Sequence, residues 1–93
     1  MKRRFDWDPE KAKKNLAKHG IAFEVAIDVF DDSDAFNDED KRFDYGEVRK
    51  QTTGRAGDTI IAVIYTERGD LTRLISARKA NRRERRKYGR PRS

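Results

Sequence analysis

The sequence predicts a small α+β domain, with two N-terminal helices, an antiparallel sheet of three or four strands and a basic C-terminal helix. Three observations predict it. Asp8-Pro9-Glu10 opens a helical pattern that Gly20 closes, Phe43 to Ala77 is β-rich and broken by turn residues, and Asn81-Arg82-Arg83-Glu84 carries the start signal of a last helix.

In the first helix, Asp8 is the N-cap, Pro9 fits the first helical position, Glu10 complements the dipole, and Gly20 takes the left-handed terminating conformation. Ala12, Leu16 and His19 form the expected buried stripe, bordered by a polar stripe of Lys11, Asn15 and Lys18. Phe23, Ala26, Ile27 and Phe30 then repeat at the spacing of a short second helix. Asp31 to Arg42 offers only Ala35 and Phe36 for burial and reads as a loop or weak edge strand. Phe43 to Thr53 reads as a strand with Tyr45, Glu47, Arg49 and Gln51 on one face, followed by a turn at Arg55-Ala56-Gly57-Asp58. Thr59 to Thr66 is nearly all Ile, Val, Ala and Tyr, the pattern of a central strand covered on both faces. Glu67-Arg68-Gly69-Asp70 turns the chain into Leu71 to Ala77, where Arg73 is expected to share a face with Leu71, Ile75 and Ala77. The last helix, Asn81 to Tyr88, ends at Gly89 and Pro91 and has little apolar surface beyond Ala80 and Tyr88.

Ninety-three residues, 34% apolar and 43% charged, support one hydrophobic core, so residues 1–93 are expected to form a single domain with a flexible basic tail at 89–93. The lack of cysteine removes disulfides, thiol nucleophiles and Cys-based zinc sites, and fits a cytoplasmic chain. No apolar run approaches the roughly 20 residues of a membrane span, and no hydrophobic region follows the basic N-terminus as in a signal peptide. The net charge of +6 is unevenly placed. Ala80 to Ser93 holds seven basic residues against Glu84, whereas Asp31 to Glu47 holds eight acids against Lys41 and Arg42. Clustered Lys and Arg suit a phosphate-rich partner, since binding releases the counterions of a nucleic acid.

Several chemistries lack their residues. The lone His19 has no companion for zinc, Asp32-Ser33-Asp34 resembles a calcium loop but has Asn37 where that loop needs glycine, and the glycines make no phosphate loop. No metal or cofactor is expected. The remaining Arg, Lys, Glu, His and Tyr residues suffice for RNA cleavage, which needs a base for the 2′-hydroxyl, cations for the phosphorane and an acid for the leaving oxygen. Histidine titrates near neutrality, which suits His19 as acid or base, although bonding to the helix-end carbonyls explains it equally well. Glu47 is a candidate base, or else the partner of Arg49 in an ion pair on one strand face. Arg49, Arg73 and Arg78 can fork onto phosphate oxygens, and Arg73, alternating with apolar residues, must snorkel, pair or meet a ligand. Tyr88 can stack on a base, donate a proton, or simply pack the final helix.

Phe5-Asp6-Trp7-Asp8, Lys11, Asn15, Lys18-His19-Gly20, Phe23, Ala26 and Phe30-Asp31-Asp32 together resemble the opening of the BrnT toxins of bacterial type II toxin–antitoxin systems. Gly46-Glu47-Val48-Arg49, Arg73 to Lys79 and Arg83 to Tyr88 are similar to that family's later motifs, in order, so the resemblance spans residues 5–88. It implies a RelE-like fold and an endoribonuclease that inhibits translation without a metal. It also implies a BrnA-type ribbon-helix-helix antitoxin as partner, RNA as substrate, free or on the ribosome, and operator DNA reached only through the antitoxin. The catalytic residues it implies are Lys18, His19, Glu47, Arg49, Arg73, Arg78 and Tyr88; Lys11, Lys79, Arg82, Arg83 and Arg86 are the expected RNA contacts. The alternatives are a non-catalytic RNA- or ribosome-binding module and a structural subunit of a repressor complex.

Overall fold

A computed structural model describes residues 3–44 and 47–89, without the side chains of 39–44. Tyr45, Gly46 and the tail at 90–93, to which expectations were attached above, lie outside the described residues. The chain is α+β, but the sheet has five strands and is mixed: β1 (Arg4–Asp6), β2 (Phe36–Asp44), β3 (Glu47–Ala56), β4 (Thr59–Arg68) and β5 (Leu71–Lys79), in the order β1-β5-β4-β3-β2. The strands β2 to β5 are antiparallel neighbours, whereas β1 pairs in parallel with β5 in the register Phe5↔Thr72. Three or four antiparallel strands were expected. The extra strand, β1, carries one apolar residue among charges and exists because distant β5 offers it an edge.

The helix α1 (Pro9–His19) has the expected ends: the Asp8 side chain accepts from the Glu10 amide, and Gly20 is left-handed at φ 72°. Its buried face differs. Leu16 is 52% exposed, while Asn15 is buried. Asn15 donates to the carbonyls of Ile21 and Ala77, each at 2.9 Å, and accepts from the Ala77 amide at 3.0 Å. These bonds pin the helix to β5, and satisfying the backbone there outweighs burying one leucine.

The expected second helix is one α-turn, α2 (Phe23–Ala26), continued by a 3₁₀ segment at Ile27–Asp31. Phe23, Ala26 and Val29 are fully buried, a spacing of three that matches the tighter helix. They form the core with Ile21, Ala56, Ile61, Val63, Leu74 and Ala77, and Phe5, Trp7 and Phe30 pack against it. Phe30 lies 5.1 Å from both Phe5 and Tyr65 between ring centroids, tying β1 and β4 to the helical layer.

The acidic segment is an edge strand, and Phe43 belongs to it rather than to β3. The turn between β3 and β4 is confined to Gly57-Asp58. The strand β4 is central and covered on both faces, with Val63 and Ala62 each fully buried. Ile64 pairs with Ser76 and Tyr65 with Leu74, so Ile75 is an extra residue that shifts the alternation of β5. Because of this bulge Ala77 points into the core, not to the face of Arg73. The last helix, α3 (Arg82–Lys87), has the full capping box between Asn81 and Glu84.

Candidate active site

Away from the helical layer, strand alternation turns Glu47, Arg49 and Gln51 of β3, Thr66 and Arg68 of β4, and Arg73 of β5 to one sheet face. There Lys11, Glu47, Arg49, Thr66, Arg68, Arg73 and Ile75 line a shallow cleft. Thr66 pairs in register with Arg73, and its hydroxyl donates to the Val48 carbonyl at 3.0 Å. Lys11 comes from the first turns of α1, which Asn15 holds along β5.

Glu47 is the carboxylate of the cleft. Arg68 donates to its Oε1 through Nε at 3.1 Å and through Nη2. Hydrogen bonding from Arg68 is the largest influence on this carboxyl and holds it below the usual value, with Thr66 and the charges of Arg68 and Arg73 acting the same way. Its ion-pair partner is therefore on the neighbouring strand, and not Arg49 as the alternative reading had it. Arg73 pairs with Asp6 on β1. The strand that the sequence did not reveal thus orients a residue that it did.

A second cleft, on the sheet face to which Gln51 and Arg78 also turn, is lined by Asp38, Gln51, Arg78, Asn81, Arg83, Glu84 and Lys87. Arg78 forks onto Glu84, with Nη1 to Oε1 at 2.8 Å and Nη2 to Oε2 at 3.0 Å. Glu84 also accepts from Gln51 Nε2 at 2.6 Å and from the Asn81 amide at 2.9 Å. Arg78 leads these bonds in lowering the Glu84 carboxyl to about 2, against the opposing effect of burial. The Arg78 guanidinium is already neutralised, so it anchors α3.

Of the twelve residues expected at the site, Lys11, Glu47, Arg49 and Arg73 meet in the first cleft, and Arg78 and Arg83 line the second. Lys18 and His19, at the end of α1, and the exposed Lys79, Arg82 and Arg86 line neither of these clefts. The Tyr88 hydroxyl donates to Asp32 Oδ2 at 2.6 Å, and the Arg55 guanidinium lies 5.8 Å from its ring centre. That bond to Asp32 raises the phenol above its ordinary value, a change that opposes proton release. Arg68 and Thr66 were missed. Read by alternation from Ile64 they fall on the open face, but Glu67-Arg68-Gly69-Asp70 looks like a turn in sequence.

An ionised carboxylate among four cations, on a face that α1 leaves open, suits a phosphodiester with a proton to be removed beside it. No curated protein matches the chain. Residues 7–84, which contain this cleft, match the family model described as ribonuclease toxin, BrnT, of type II toxin-antitoxin system, and the chain belongs to that family.

Proposed function

We propose that this toxin is a metal-independent, RelE-like endoribonuclease whose substrate lies across the open sheet face with its scissile phosphate in the first cleft. The observation that carries the reading is the convergence of Glu47 with Lys11, Arg49, Arg68 and Arg73. Glu47 takes the proton of the 2′-hydroxyl, the 2′ oxygen attacks phosphorus, and the bond to the 5′ oxygen breaks. Lys11 gives the leaving oxygen its proton, so the products are a 2′,3′-cyclic phosphate and a 5′-hydroxyl. The arginines stabilise the charge that builds on the phosphorane oxygens. A phosphate that engages Arg68 weakens the bond holding Glu47 down, which raises its basicity as substrate binds. One carboxylate among four cations is a poor ligand set for a divalent ion, which favours chemistry without one.

In this reading Lys79, Arg82 and Arg86 draw RNA toward the face by long-range attraction, while His19 and Tyr88 stay outside the chemistry. The antitoxin is of the BrnA ribbon-helix-helix type, covers the cationic face, contacts operator DNA on behalf of the complex, and acts with the toxin in the cytoplasm. The test is incubation of RNA with the purified toxin in EDTA, with analysis of the new ends. Cyclic phosphate ends are expected, with roughly 10²- to 10³-fold slower cleavage by Glu47→Gln and by Arg73→Ala. Because Arg68 holds the free Glu47 carboxyl below the usual glutamate value, the acid limb of the kcat/KM profile, which reports the free enzyme, falls below the pH at which an ordinary glutamate titrates. Intact RNA that is retained in a salt-sensitive way would replace the enzyme with a binding module. Cleavage that appears only with added magnesium would overturn metal independence.

A further inference from the structure

The two clefts differ in charge and share one face of the sheet. Four cations face one carboxylate in the first. In the second, the Arg78–Glu84 pair cancels, and Arg83 and Lys87 remain against Asp38, which lies 3.6 Å from the Lys87 ammonium. What distinguishes the second cleft is a pair of amides, Gln51 and Asn81. Gln51 follows Arg49 by two residues on the same face of β3, so these two lining residues stand roughly 7 Å apart along the strand, about one nucleotide step.

We infer that the second cleft is a nucleobase subsite, which reads the nucleotide next to the scissile phosphate. This rests on the reading of the first cleft as the phosphate site. Amide side chains supply the donor and acceptor pairs that base edges demand, and a guanidinium plane can cover the ring. Gln51 Nε2 is fixed by its bond to Glu84, so the position of its amide is set before ligand arrives. Asn81 uses Oδ1 to cap α3, and its Nδ2 makes no hydrogen bond among the described residues. Arg83 is exposed and forms no ion pair among the described residues, which leaves its guanidinium to lie over a base. The near-neutral balance of this cleft favours a base over a second phosphate.

The experiment measures binding of full-length toxin to trinucleotides that carry 2′-deoxyribose at the scissile position and so resist cleavage. The base on each side of the scissile phosphate is varied in turn over all four. The parent protein should prefer one base on one side by about tenfold, the scale of a good paired contact. Asn81→Ser, which keeps a capping oxygen, and Arg83→Gln should each bring the four affinities within about twofold of one another. Binding of a base-free deoxyribose phosphodiester, which reaches only the first cleft, should stay unchanged in both variants. Equal affinity of the parent for all four bases on both sides, or discrimination that survives both substitutions, overturns the subsite. Discrimination without cleavage of the matching all-ribose trinucleotide would instead overturn the enzymatic reading and leave the subsite standing.

Discussion

Replacing Glu84 with Gln removes a charge from the most heavily bonded side chain of the chain's C-terminal part. Glu84 is 5% exposed and accepts from Arg78, Gln51 and the Asn81 amide. Glutamine keeps the shape but strands the Arg78 guanidinium, whose side chain is one-third exposed, without its counter-charge. The carboxyl is displaced from 4.5 to about 2. At about 1.4 kcal/mol for each pH unit, that displacement is worth about 3 kcal/mol of stability. Since folding lowers this acid's value, the contribution is complete above about pH 4.5 and is lost as pH falls through about 2. Urea denaturation of parent and Glu84→Gln should therefore differ by about 3 kcal/mol at pH 7, or roughly 1–3 M in midpoint. The difference should shrink toward zero near pH 2. A deficit below about 1 kcal/mol at pH 7, or one that is independent of pH, would refute the view that an ion pair anchors α3.

Gly54→Ala places a Cβ 2.8 Å from that of Ala35 and 3.0 Å from Val29 Cγ1, so it should cost about 1–3 kcal/mol in denaturant unfolding. Asn15→Leu leaves two carbonyls and an amide without partners and should lower stability by about 3 kcal/mol or more, although it adds apolar surface. Tyr88→Phe should lose about 1 kcal/mol of stability with the Asp32 bond while RNA cleavage continues at the parent rate. His19→Gln should likewise leave the pH profile of cleavage unchanged; a flattened profile would return the imidazole to the mechanism.

Local chemistry was legible where it is settled within a few residues. Asp8 caps α1, Gly20 ends it, and Asn81 and Glu84 satisfy each other at α3, because each device needs only a fixed spacing along the backbone. The central position of β4 followed from its continuous apolar run, which only a strand covered on both faces can bury. Family membership was also carried by the order of motifs along the chain, and the match over residues 7–84 agrees with it.

What the linear chain left open depends on which distant groups meet. Phe5 could not be read as a strand residue, since β1 is short and depends on an edge of β5 and on Phe30. Asn15 replaced Leu16 on the buried face because backbone groups at Ala77, 62 residues away, needed its amide. The bulge at Ile75 moved Ala77 to the core, a one-residue shift that alternation cannot foresee. The site followed the same logic. Residue types led to the expectation of acid–base and phosphate chemistry, but only tertiary packing gave Glu47 to Arg68, Arg73 to Asp6 and Arg78 to Glu84. Charge is a property of composition, whereas the choice of counter-charge is decided by three-dimensional proximity.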